Sequence, residues 1–164
     1  MADEALPAGF IEAGQNYLDS LRRLRFEPDG LFWAWDKTVE EFVLVLVTRH
    51  FDYSGPYEIF RLLTLAYNQS ATPKEISPFI VRLHSPEQAI IRNLMVLDAH
   101  DEDGKRSENI TGRGQIADIE YVNHWVYKWP TVMYDQKKKP GRPEGMKRSR
   151  EFSRFRKEVE RLAA

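Results

Sequence analysis

With 164 residues, 42% hydrophobic and 12% aromatic, the chain is long enough for one packed core with an appendage and too short for a second full core. It has no cysteine, which excludes disulfides, thiolate metal sites and cysteine nucleophiles. The formal net charge of −1 conceals two opposed parts: residues 136–164 carry 11 Lys and Arg against 4 Glu, whereas residues 1–135 carry 13 basic and 21 acidic side chains. That division predicts an acidic globular domain over 1–135 and, over 136–164, a basic linker with an amphipathic C-terminal helix suited to an anionic partner.

Phe10, Ala13, Tyr17, Leu21 and Leu24 recur at helical spacing and predict an amphipathic first helix, ended by the turn residues Pro28 and Gly30. Two β-rich runs follow, LFWAWD at 31–36 and FVLVLVTRH at 42–50, separated by a polar stretch of hairpin length. The second is apolar on both faces, as a strand covered on each side would be. Pro56 opens a second helix, most of whose surface is apolar.

Thr72-Pro73-Lys74-Glu75 has the form of a capping box, residues 79–84 read as a third strand, and Ser85-Pro86-Glu87-Gln88 starts a third helix. A long surface loop is expected over 98–115. Residues 116–129 fit both periodicities; β-branched and aromatic richness favours a strand. Together these elements predict an α/β or α+β fold: a small mixed sheet of about 3–4 strands packed with helices in the order α-β-β-α-β-α-β. Strands two, three and four should run parallel, with strand one antiparallel beside strand two.

The opening MADEALPAGF lacks the charged start and apolar stretch of a secretory signal. The longest apolar run, residues 42–47, falls far below the roughly 20 residues needed to span a bilayer. A soluble, cytoplasmic protein without membrane contact is expected.

Within the basic part, the segment KKKPGRPEGMKRS places Gly141, Arg142 and Pro143 among lysines and arginines. It resembles the AT-hook, a short disordered DNA-binding motif built on Arg-Gly-Arg-Pro with basic flanks. The resemblance implies an extended core in the narrow minor groove of A·T-rich DNA, with Arg142 as the groove-inserting side chain. Pro140 stands where the motif has its first arginine, and Glu144 follows where a basic residue would help. Lys137, Lys138, Lys139, Lys147 and Arg148 are the expected phosphate contacts, giving salt-sensitive binding that does not read sequence.

Beyond the motif, Phe152, Phe155, Val159 and Leu162 form one apolar stripe, surrounded by Arg148, Arg150, Arg154, Arg156, Lys157 and Arg161. Docking on the chain's own acidic body, pairing with a partner helix and lying on an anionic membrane are the three ways to cover it.

His50 and Asp52 follow the second strand, on one face if that strand continues, and His84 ends the third. Parallel strands would bring these residues to one sheet edge, where a metal or acid–base site is geometrically feasible. The bland account is ordinary strand-end residues bonded to loops. The acidic loop at 98–104 lacks the ligands of a calcium loop, and the glycines at 112 and 114 lack nucleotide-loop spacing. Trp125, Tyr127 and Trp129 read either as core or as a base-stacking platform.

The leading expectation is therefore a non-enzymatic binding protein, without cofactor or resident metal, whose basic arm engages nucleic acid and whose acidic body contacts another protein. The alternatives are a small hydrolase-like or metal-dependent enzyme using His50, Asp52 and His84, and a protein-interaction or inhibitory module with a self-docking tail.

Overall fold

The computed structural model describes residues 6–89, 91, 113–116, 119–128 and 142–164. The expected third helix beyond Ile91, the loop over 98–112, Trp129 and Lys137, Lys138 and Lys139 lie outside these residues. In chain order the elements are α1 (Phe10–Arg23), β1 (Gly30–Asp36), β2 (Glu41–Val47), α2 (His50–Ser54), α3 (Pro56–Asn68), β3 (Val81–His84), β4 (Arg113–Ile116), β5 (Ile119–Lys128) and α4 (Arg142–Ala163). A 3₁₀ turn, Pro78–Ile80, leads into β3.

The strands form one mixed sheet in the order β3-β2-β1-β5-β4, which makes the class α+β. β1 pairs antiparallel with both β2 and β5, β2 pairs parallel with β3, and β4 pairs antiparallel with β5. It follows that β2, β3 and β5 run in the same direction, as expected, although β5 reaches that direction through β1. The sheet has a strand more than expected: Arg113, Gly114 and Gln115 of β4 fall in the predicted surface loop, and the described residues of the ambiguous 116–129 stretch are the last residue of β4 and the strand β5.

Strand alternation sorts the core into two layers. Leu31, Trp33, Leu44 and Leu46 point to one face and pack with Tyr17, Leu18 and Leu21 of α1, Ile59, Leu62 and Leu63 of α3, and Phe152, Phe155 and Val159 of α4. Phe32, Ala34, Val43, Val45 and Val47 point to the other face and pack with Ile91 and Val126. β2 is thus buried on both sides, which explains its unbroken run of aliphatic residues.

Two glycines answer specific geometric demands. Gly55 joins α2 to α3 at φ 84° and ψ 150°, a conformation open essentially to glycine alone. Gly14 lies within α1, where glycine is about 1 kcal/mol worse than alanine, because a Cβ there would overlap the Tyr127 side chain. Tyr127 reaches this position from β5; its hydroxyl donates to the Ile11 carbonyl at 2.6 Å and accepts from Trp33 Nε1 at 2.9 Å. Burial raises its ionisation above the ordinary tyrosine range. Glu27 secures the other end of α1 to β5 by pairing with Arg22 at 2.9 Å and Lys128 at 2.7 Å.

The expected cap at Thr72 does not form. Thr72 Oγ1 is buried without a hydrogen-bond partner, and the segment makes one turn closed by Ile76 N–H to the Pro73 carbonyl at 3.2 Å. Ser85 accepts from the Glu87 N–H at 3.0 Å as a cap would, but residues 86–88 form a turn and the helix begins only at Ala89.

Candidate functional site

α4 has two sharply different faces. Phe152, Phe155 and Val159, spaced three and four apart, are buried at 2%, 0% and 0% exposure, and Leu162 in the last turn is 38% exposed. The Phe155 ring lies 4.8 Å from Phe26, and Phe152 lies 5.3 Å from His50. The Arg156 guanidinium sits 5.3 Å from the centroid of the Phe152 ring, and its Nε meets Glu58 Oε1 at 3.2 Å. Arg61 of α3 bonds Glu58 at 2.7 Å and reaches Glu160 of α4 at 3.3 Å. Those arginines, Arg61 first, hold the Glu58 carboxyl below its ordinary range. Of the three coverings expected for the apolar stripe, docking on the body is the one observed.

With that face committed, the opposite face is fixed outward. Lys147, Arg150, Arg154 and Lys157 are all exposed and recur at intervals of three, four and three, so they form one line along the helix. The line runs about 15 Å at about 1.5 Å per residue. Nearby acids do not neutralise it. Glu151 pairs with Arg148 at 3.2 Å, Glu158 with Arg161 at 3.0 Å, and Glu160 with Arg61. Among the described residues, Lys147, Arg150, Arg154 and Lys157 make no ion pair.

This arrangement differs from the one the AT-hook resemblance implies. Arg142 and Pro143 form the first turn of α4 instead of an extended strand, because proline at the start of a helix forfeits no hydrogen bond and presets the required φ. Of the expected phosphate contacts, Lys147 belongs to the exposed line, whereas Arg148 is engaged with Glu151. Arg150, Arg154 and Lys157 were legible as surface charges but not as a group. The signal that groups them is their register with Phe152, Phe155 and Val159: each cation falls where the apolar stripe is absent.

The histidine site takes a different form from the one sequence predicts. β2 ends at Val47, and His50 opens the short helix α2, not a continuing strand. On a helix, residues two apart point roughly 200° from each other, so His50 and Asp52 diverge. The His50 ring, 6% exposed, is enclosed between Phe26 at 5.6 Å and Phe152 at 5.3 Å, and its Nδ1 is buried without a hydrogen-bond partner. Desolvation is the chief reason its pKa lies below the ordinary value; Asp29 and Glu151 oppose that shift and Arg148 adds to it.

Asp52 turns the other way and accepts from the Ser85 hydroxyl at 2.6 Å. The imidazole Nδ1 of His84 lies 2.6 Å from Gln88 Oε1, and burial lowers the His84 pKa as well. The three side chains therefore serve three separate local contacts. No group of three or more His, Asp and Glu side chains among the described residues is arranged to hold a metal ion. Tyr127, a member of the possible stacking platform, is fastened beneath α1 by the hydroxyl bonds described above.

No helix among the described residues is long and apolar enough to cross a membrane. Compared with known proteins, the chain matches no family model, and no curated protein or solved structure is detectably similar to it.

Proposed function

We propose that this protein is a non-enzymatic nucleic-acid-binding protein in which α4 presents a rigid line of cations to the phosphate backbone, while the acidic body contacts a protein partner. The observation that carries this reading is the pairing pattern on α4. Glu151, Glu158 and Glu160 are each taken by an arginine outside the line, and among the described residues Lys147, Arg150, Arg154 and Lys157 remain exposed and without ion pairs.

The energetic logic is counterion release. A duplex carries one negative charge per about 1.7 Å of its axis, and each phosphate neutralised by a lysine or arginine returns a condensed cation to solution. Binding of this kind is steered by charge, depends steeply on salt and reads sequence poorly. Holding the cations on a docked helix reduces the ordering cost that a disordered arm would incur on binding. Lys137, Lys138, Lys139 and Arg142 precede the line in sequence and extend the same chemistry.

The docked face of α4 favours a competing reading, in which the helix is a strut closing the body and its cations only solvate the surface. Replacing Arg150 and Arg154 with Glu separates the two. The nucleic-acid reading expects loss of binding to both duplex and single-stranded DNA with an unchanged fold; unchanged affinity would leave the strut.

A further inference from the structure

On the same side of the sheet that α1 covers, the helix layer stops short of the β1–β2 hairpin and leaves an open groove of about 690 Å³. Its apolar lining comprises Phe10 of α1, Trp35 of β1 and Phe42 of β2, with Pro7 and Ile80 beside them. Trp35 and Phe42 meet edge to face at 4.8 Å, and Phe10 stacks at 5.0 Å on Trp33, the next residue inward on the same strand face. All three lining rings are only partly buried, so aromatic area remains open where the core ends.

The polar part of the groove has one sign. Glu40 and Glu41 at the hairpin and Glu75 from the segment before β3 line it, all three exposed. Among the described residues these carboxylates have no ion pair or hydrogen bond, and no lysine or arginine lines the groove. Aromatic faces with a negative quadrupole and nearby carboxylates share one complement: a cation carried on an apolar stem. A metal ion would use the carboxylates but not the rings; a neutral apolar ligand would use the rings but not the carboxylates. Arginine and lysine use both, and the groove is larger than one such side chain requires.

We infer that this groove binds a basic segment of a partner protein, with arginine or lysine stems lying on Phe10, Trp35 and Phe42 and their charged ends at Glu40, Glu41 and Glu75. The inference rests on the part of the proposed function that gives the acidic body a protein partner. It shares no residue with the cationic line of α4, so failure of nucleic-acid binding leaves it intact.

The test titrates the full chain with a capped hexapeptide alternating arginine and leucine, and with the same peptide carrying glutamate in place of arginine. The readout is the indole N–H resonance of Trp35, identified by its disappearance in Trp35→Phe. The expected result is a saturable shift with the arginine peptide and none with the glutamate peptide. The triple variant E40Q/E41Q/E75Q should weaken binding by about threefold to about a hundredfold, the range expected for losing three exposed ion pairs. These substitutions are exposed and neutral in size, so the fold is retained.

Equal response to both peptides, or undiminished affinity in the triple variant, would overturn the inference by making the contact merely apolar. Absence of binding by the arginine peptide would overturn it as well. If binding emerges only when Lys137, Lys138 and Lys139 are replaced with Gln, the occupant is this chain's own basic segment and the partner assignment is wrong.

Discussion

The ring of Phe155 lies 4.8 Å from that of Phe26, a contact that joins the C-terminal helix to the turn between α1 and β1. Both side chains are fully buried. The charged end of the molecule is therefore part of the same core as its acidic body, and the direction in which α4 presents its cations is set by packing.

Truncating that contact should unfold more than the helix. Phe155→Ala removes a buried aromatic from the shared core and is expected to cost about 3–5 kcal/mol. Denaturant unfolding followed by both far-ultraviolet dichroism and tryptophan fluorescence should show one lowered transition. A loss below about 1 kcal/mol would mean that α4 is not docked in solution.

Gly14→Ala reverses the usual helix preference. Alanine should stabilise a helix interior by about 1 kcal/mol, but here the added methyl overlaps Tyr127, whose hydroxyl is fixed by Ile11 and Trp33. The expected outcome is a net destabilisation of about 1–3 kcal/mol, read by thermal unfolding. Pairing it with Tyr127→Ala should relieve the overlap, so the double variant is less destabilised than the sum of the two single changes.

His50 should make stability fall in mild acid. Its folded pKa is lowered by burial, so the unfolded state takes up the proton first. The contribution is fully present above the unfolded pKa near 6.5 and is lost as the pH falls from there through the folded value. For one proton the slope reaches about 1.4 kcal/mol per pH unit at most. His50→Phe, which retains a ring between Phe26 and Phe152, should flatten the profile between pH 7 and 5; His84, also lowered, and toward pH 5 the lowered carboxyls of Glu27 and Glu58 leave a smaller slope. An unchanged profile would show that His50 is not buried as described.

Much of the fold was legible because burial imposes period. The stripe of α1 and the Phe152, Phe155, Val159 stripe each match the helical period, and the short, β-branched, doubly apolar β2 matches a strand covered on both faces. The misreadings came where two signals competed. Residues 48–50 prolong the β2 run, but Thr48 Oγ1 accepts from the His50 N–H at 3.1 Å and the Asp29 carboxylate accepts from the Arg49 N–H at 2.7 Å. Those side chains satisfy the first turn of a helix there. The polar, glycine-containing 113–116 segment has no apolar face to betray it, because its strand character comes from pairing with β5 at the sheet edge.

The site was legible only in part. Charge asymmetry pointed to the C-terminal segment, and the helical spacing of Lys147, Arg150, Arg154 and Lys157 was present in the sequence. What sequence did not provide was the pairing of Arg148, Arg156 and Arg161 with acids, which removes them from the available charge. The groove at Trp35 was illegible for a simpler reason. Its aromatics look like core until the end of the helix layer is known.

The most direct test of the cationic line is the salt dependence of duplex DNA binding by the full chain and by K147Q/R150Q/R154Q/K157Q, with circular dichroism to verify that both are folded. Each phosphate contact contributes about 0.9 to the slope of log affinity against log salt. A linear slope is expected in the native chain, becoming shallower by roughly 3–4 in the variant if each of the four cations meets one phosphate. An identical slope in both proteins would contradict it and return α4 to a purely structural role.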